Sequence, residues 1–524
     1  MRRGACKTAQ FRILFKQASQ RPRPICAVTS GSRFLKIFQE YLEMKIIGLH
    51  SSPISSLSRD GFGSICQERR LSSISTPSRK NTTLLDQARK TPIFLTSVLI
   101  IFISQAVVGQ TQKDVERDRN RGVVMLGLMK DYLKEYYYDP SYHGMDLESR
   151  FKVSENKIHE AANISQVLGI IAQTMVELND SHTFFVPPSR PVDVDYGWRM
   201  QAIGNLCLVT EVDADSDAAV QGLHPGDQVL SVDGFKPTRE SLWKMEYNYN
   251  VLRPQPGKRI VIRTPAGEER ELALKAKVEK RPKQINPEEW FNQAFKDQED
   301  EKKLPRYFDL NADVLIWKLR HFDLTESKMA DMMKRAKERK ALVLDLRGNG
   351  GGQEVALQKL IGYFFDHDLT VGEMKRRKET RPLKAKSRGD NVFKGQLVVL
   401  IDSNSASASE LFARVIQIEK RGTVIGDRSA GAVMRSVFRP GALGDMSNGN
   451  MIFYGASITD ADIIMSDGKG LEHMGVVPDE LVLPTPVNLA AKHDPVLARA
   501  AALVGFELTP EKAGAMFPAE KEKD

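Results

Sequence analysis

Apolar residues repeat along the chain with three different patterns, and the changes of pattern divide it. From residue 113 to 180 the spacing is helical: Val123, Met125, Leu126, Met129, Tyr132 and Leu133 share one face, as do Val167, Leu168, Ile171, Met175 and Leu178. The intervening YYYDPSYHGMD is rich in turn formers and reads as a loop. Residues 190–280 hold short apolar runs, LCLVTEV, LHPGDQVLSVDG, KRIVIRT and ELALKAKV, cut by Gly, Pro and Asp. In the last run Leu272, Leu274, Ala276 and Val278 alternate with Ala273, Lys275 and Lys277, which predicts one half-buried strand. Asn286-Pro287-Glu288-Glu289 is a helix start, and with the charged KDQEDEKK behind it marks 281–310 as a connector.

The third pattern runs from 312 to 426. ADVLIWKLRHF (312–322), ALVLDL (341–346), LVVLI (397–401) and TVIG (423–426) are uninterrupted apolar strands. Between them lie helical stripes: Met329, Met332, Met333 and Ala336; Leu357, Leu360, Ile361 and Phe364; Ala408, Leu411, Phe412 and Val415. Such alternation predicts a parallel sheet covered on both faces, with right-handed connections.

Composition changes this picture little. The 524 residues allow three or four domains, and 41 % hydrophobic with 27 % charged residues excludes a disordered, collagenous or multi-span membrane protein. The net charge of +9 is lopsided: residues 1–90 alone carry +12, so the body is slightly acidic and gives no argument for nucleic acid. Cys6, Cys26 and Cys66 precede residue 90 and only Cys207 follows, so the body has no internal disulfide framework. Residues 1–88, rich in Arg and Ser, read as a disordered leader or as sequence upstream of a later start such as Met44. Arg89-Lys90, the apolar run 92–108 and Gly109 then form the outline of a secretory signal. The run is short for a span of roughly 20 residues. It predicts an exported, periplasmic or extracellular body, tethered to a membrane only if the run is not cleaved. A mitochondrial leader is the alternative for the same stretch.

Chemistry concentrates in two turns at carboxyl ends of the parallel strands, where such sheets place their ligands. RGNGGG (347–352) brings backbone N–H groups close to a ligand, but Gln353-Glu354 follows instead of the Lys-Ser/Thr of a phosphate loop. DSNSASASE (402–410) puts hydroxyls between a buried strand and an amphipathic helix, with small alanines around them. Ser405 and Ser409 read as helix N-caps.

Two resemblances follow from these motifs. GLHPGDQVLSVDG (222–234) resembles the turn-and-strand signature of a PDZ domain, whose carboxylate-binding loop would fall near Tyr196-Gly197-Trp198. LVLDLRGNGGG (342–352), LVVLIDSNSASASELFA (397–413), GVVPD (475–479) and the EL-x-DSHT stretch (177–183) together resemble the carboxyl-terminal processing (tail-specific) serine peptidases and their tricorn-core relatives. The resemblance implies an α/β protein: a parallel-rich sheet covered by helices, crotonase-like or ClpP-like, with an N-terminal helical segment and an inserted PDZ domain. The expected boundaries are leader and signal 1–110, helical domain 111–189, PDZ 190–280, connector 281–310, catalytic core 311–505 and tail 506–524. Ser407 falls at the family's nucleophile, and Gly350 or Gly351 with Ala408 would form the oxyanion hole. The processing branch activates its serine with a lysine, and here Ala432 stands at that place. The tricorn-like branch uses a Ser-His pair and a later glutamate, which matches Ser181, His182 and Glu472. His182 is therefore the expected general base, bridged to Glu472 by Ser181.

The implied activity is a serine endopeptidase acting on polypeptides without metal or organic cofactor. The alternatives are an inactive PDZ-bearing peptide-binding scaffold, favoured by Ala432, and a hydrophobic-ligand carrier on the same core. Other motifs are set aside. His159-Glu160 lacks a second zinc-binding His, because Asn163 stands there. Asn163-Ile164-Ser165 is a glycosylation triplet in helical context. His473 and His493 read as exposed, Asp180 as a local cap, Asp345 as a partner of the glycine turn, and the basic run 375–388 as a solvated loop.

Overall fold

The computed structural model describes residues 93–280, 306–444 and 451–517, with side chains from Gln112 onward. The leader, the start expected at Asn286 and most of the connector lie outside the described residues. So do the side chains of the apolar run 92–108.

Three helices open the described residues: α1 (Ile93–Tyr136), α2 (Leu147–Glu160) and α3 (Ile164–Val176). Asp146 caps α2 through the Ser149 N–H, and Asn163 caps α3 through the Gln166 N–H. The Asn163 side chain of the glycosylation triplet thus serves as a helix cap. The predicted stripes meet in one core, where Met129, Leu133, Ile158, Val167 and Ile171 have no exposed surface. Burying each such side chain is worth about 1.5–3 kcal/mol. Strand β1 (Phe184–Val186) follows.

Strand β2 (Val192–Asp195) leads into an antiparallel meander of β3 (Trp198–Ile203), β4 (Leu206–Val212), β5 (Gln228–Val232), β6 (Gly257–Arg263) and β7 (Glu269–Lys275). Its core is Val209, Leu223, Val229, Ile260, Ile262, Leu272 and Leu274. The strand expected to run through Val278 breaks after Lys275. Ala276 bonds Pro256 instead, and β8 (Lys277–Lys280) pairs with β2 in a two-stranded ribbon. A ribbon has no second layer behind it, so Val278 is half-exposed.

Strand β9 (Arg306–Asp309) replaces the end of the expected connector and pairs antiparallel with β10 (Val314–Lys318). Then come α4 (Glu326–Lys337), β11 (Ala341–Asp345), α5 (Glu354–Ile361), the hairpin β12 (Leu369–Lys375) and β13 (Thr380–Ala385), β14 (Gln396–Ile401), α6 (Ala408–Ile418) and β15 (Thr423–Gly426). Strands β16 (Met434–Leu443) and β17 (Ile452–Met465), the short β18 (Glu480–Leu481), α7 (Pro495–Leu503) and α8 (Pro510–Met516) complete the described chain.

The predicted parallel sheet has the order β18-β15-β14-β11-β10, with antiparallel β9 on its edge. Its continuous apolar strands serve two cores at once. Leu315, Trp317, Leu342, Leu344, Leu397 and Val399 face the cluster of α4, α5 and α6, while Ile316, Val343, Val398, Leu400 and Ile425 face α7 and α8. Residues 510–516, expected in a tail, are therefore a covering helix with Ala513 buried. A second, antiparallel sheet joins β1, β17, β12 and β13, with β16 along β17. Within the basic run 375–388, residue 375 and residues 380–385 belong to β12 and β13 of this sheet instead of a loop, and most of the run is exposed as expected. Its arginines have partners: Arg376 meets Asp460, which Arg435 of β16 also reaches, Arg381 meets Glu354, and Arg388 meets Glu326.

Candidate active site

The carboxyl ends of β11 and β14 carry the two predicted turns side by side. Asn349, fully buried, ties them together. Its Nδ2 donates to the Leu319 carbonyl, its Oδ1 accepts the Gly351 N–H at 2.8 Å, and its carbonyl accepts Ala406 N–H and the Ser409 hydroxyl. Ser405 is likewise buried and donates to the Leu346 carbonyl. Ser405 and Ser409 thus fasten the serine turn and the start of α6 to the glycine turn and are not N-caps; the N-cap position of α6 is Ser407. Gly351 adopts φ +103°, and a Cβ there would lie 2.7 Å from the Ser407 Cβ, so only glycine fits.

Beneath the glycine turn, fully buried Asp345 accepts Arg347 N–H and its guanidinium, and the Lys318 ammonium at 3.1 Å. Burial alone would raise this carboxyl, but Arg347 and Lys318 hold it well below the carboxylate range. Arg347 also grips Asp494 at the start of α7.

Ser407 is half-buried and has φ +55°, a conformation few non-glycine residues adopt. Its N–H reaches two acceptors, the Ala432 carbonyl and Glu410 Oε2, both at 2.9 Å. Glu410, in the first turn of α6, is fully buried and also accepts Ser429 Oγ, Gly431 N–H and Ala432 N–H. Burial pushes its carboxyl up to about 7, against the pull of these donors.

The Ser181-His182 pair lies between α3 and β1, and pairing of β1 with β17 sets its place. Asp180 organises the turn as the predicted local cap: its Oδ1 accepts His182 N–H, Thr183 N–H and the Thr459 hydroxyl, and its Oδ2 accepts the Tyr137 hydroxyl. Glu472 accepts Ser181 N–H at 2.7 Å, the Ser181 hydroxyl at 2.9 Å and Val433 N–H at 2.7 Å. Burial raises its carboxyl above the ordinary value, and these donors oppose that. Ser181 Oγ is 2.7 Å from His182 Nδ1. A hydroxyl has one proton, and the Ser181 proton goes to Glu472, so His182 Nδ1 must donate and its Nε2 keeps the lone pair. Burial lowers the imidazole below its ordinary 6.5, with Asp180 opposing.

The structure therefore brings Ser181, His182 and Glu472 together, and places Ser407 two hydrogen bonds away through Ala432-Val433. Among the described residues no hydrogen bond joins the His182 ring to the Ser407 hydroxyl. Gly351 N–H is occupied by Asn349, so of the two expected glycines Gly350 retains its donor; Ala408, at the first position of α6, has an N–H with no intrahelical acceptor. His473 is exposed, with Nε2 on the Asn179 carbonyl, whereas His493 is half-buried. Asn349 and Glu410 escaped the sequence reading. Ser407-x-x-Glu410 is the capping-box spacing, and that signal could have found the second.

Residues 313–482 match the model of Peptidase family S41. A probable CtpA-like serine protease of Staphylococcus haemolyticus is 24 % identical over 346 residues, 64 % of this chain and 63 % of that protein. A tail-specific protease of Haemophilus influenzae is 24 % identical over 271 residues, 48 % of this chain and 36 % of that protein. The chain thus spans less than two thirds of the length of these two relatives. Mature CPAF shares the fold, with a TM-score of 0.53 at 15 % identity over 71 % of this chain and 94 % of that one. Ser407, Glu472 and the glycine turn fall inside the S41 region, while Ser181 and His182 lie upstream of it.

Proposed function

We propose that this chain, which carries a peptidase family S41 core at residues 313–482, is a serine endopeptidase with Ser407 as nucleophile and His182 as general base. The observation that carries this reading is the Ser181 hydroxyl between Glu472 and His182 Nδ1. It leaves Nε2 as the acceptor, which is the tautomer a base requires. Ser407 Oγ attacks the peptide carbonyl as its proton passes to Nε2, and the oxyanion is received by Gly350 and Ala408 N–H groups. Imidazolium, steadied by Ser181 and Glu472, returns the proton to the leaving amine. Water then repeats the sequence on the acyl-enzyme and releases the carboxyl product. The step from Ser407 to His182 closes when substrate enters, since such bonds commonly tighten only in the loaded site. Ala432 offers no base, so the lysine route of the processing branch does not operate.

Two further parts belong to this reading. The meander over 198–275 is a PDZ-type module: β3 is an edge strand, the kind to which a peptide chain end adds. The basic-flanked apolar run 92–108 supports export of the body.

Reaction with a fluorophosphonate tests the assignment. Wild type should be labelled on Ser407 and Ser407→Ala should not. No labelling of either protein would favour the inactive scaffold.

A further inference from the structure

We infer that Glu410 is the positioning residue for the nucleophile: one buried carboxylate holds the Ser407 N–H and the turn 429–432 against each other. The inference rests on the reading of Ser407 as nucleophile and goes beyond it, because Glu410 touches neither base nor oxyanion donors.

A carboxylate offers about four lone-pair sites, and here four donors reach them. Oε1 takes the Ser429 hydroxyl at 2.6 Å and Gly431 N–H at 2.7 Å; Oε2 takes Ser407 N–H and Ala432 N–H, each at 2.9 Å. The Ala432 carbonyl in turn accepts the Ser407 N–H. The unusual φ of Ser407 is thus fixed by a two-acceptor grip on one amide, and Glu410 is common to both sides of it. A strained residue persists only where its surroundings over-determine it.

The same turn reaches the other half of the site. Ser429 Oγ accepts Val476 N–H at 2.6 Å, tying the turn to the segment that carries Glu472. Consecutive amides are held by the two carboxylates: Ala432 N–H by Glu410 and Val433 N–H by Glu472. One dipeptide therefore sets the spacing between the support of the nucleophile and the support of the base. The residue at the place of the family's lysine keeps a main-chain role although its side chain is only a methyl group.

The test compares full-length wild type with Glu410→Ala, Glu410→Gln and Glu410→Gln/Ser429→Ala, each checked for folding. It reads the rate of fluorophosphonate labelling, kcat and KM on a peptide, and hydrogen exchange of amides 407 and 429–433. Glu410→Ala should lower labelling and kcat by about 10²-fold with KM nearly unchanged, the cost of a small misplacement. Glu410→Gln should lose roughly tenfold. Its single oxygen can serve Ser407 and Ala432, while the new amide faces Gly431 N–H donor against donor and the Ser429 hydroxyl turns to accept from it. Adding Ser429→Ala removes that acceptor and should bring the loss to that of Glu410→Ala. Should Glu410→Ala not fold, the two Gln variants carry the comparison. A folded variant series that labels at the wild-type rate, with only its melting temperature lowered, would overturn the inference. If wild-type Ser407 is never labelled, the peptidase reading fails by itself. Faster exchange at 407 and 429–433 in the variants would then still support the grip, and unchanged exchange would refute it.

Discussion

Ser407 and His182 are held by opposite means. Ser407 sits at the junction of a parallel strand and a helix, and main-chain amides, a glycine with no room for a Cβ and two buried carboxamide or carboxylate hubs fix it. His182 sits on a short turn, and its ring is oriented by one hydroxyl whose own proton is directed by a carboxylate 291 residues away. The proposed nucleophile is built into the fold, whereas the proposed base is attached to it. Losses at the first half should therefore be paired with losses of stability, and losses at the second should be almost purely chemical.

The largest effect should come from His182→Ala. It should lower kcat/KM by about 10⁴-fold or more and leave thermal unfolding unchanged. Ser181→Ala should cost less, roughly 10²-fold in kcat, because the imidazole survives without its orienting bond. Full turnover by His182→Ala would mean that the ring is not the base. Gly351→Ala should act on the other half. The added Cβ meets the Ser407 Cβ at 2.7 Å, and a positive-φ site with no space should cost about 2 kcal/mol or more in denaturant unfolding, together with activity. An unfolding curve like that of wild type would show that the turn is looser than its contacts imply.

The pH profile gives the smallest and finest distinction. Burial raises Glu410 to about 7 and lowers His182 below 6.5. As pH falls, activity should first drop as Glu410 takes a proton and ceases to accept its donors. It should drop again, below 6.5, when the imidazole is protonated and Nε2 has no lone pair. In Glu410→Gln only the lower step should remain. Identical acid limbs in both proteins would remove Glu410 from the titration.

Where the sequence was legible, one layer of packing explained the pattern. Strands such as LVVLI are apolar throughout because both faces are covered, and the helical stripes match single buried faces. The misreadings arose where a segment's partner was distant. The basic run 375–388 is exposed as expected but is not a loop throughout: 380–385 pair with 369–375 as a hairpin, and its arginines meet acids at 326, 354 and 460, which no local pattern announces. Residues 510–516 looked like a tail because the cluster they join includes strand residues 316, 343, 398, 400 and 425, far away in sequence. Ser405 and Ser409 looked like caps because their true acceptors, the Leu346 and Asn349 carbonyls, belong to the neighbouring strand's turn.

The sequence by itself determined the strands and helices of the parallel layer and the opening helical stripes, and the resemblance carried by its motifs pointed to Ser407, Ser181, His182 and Glu472. Periodicity and turn chemistry are local, so they are written in neighbouring residues. Only the tertiary structure decided that Gly351 N–H is occupied, that Glu410 gathers four donors, and that the Ser181 proton points to Glu472. Hydrogen bonds act over about 3 Å, and which groups come within that reach is set by how the sheets and helices pack.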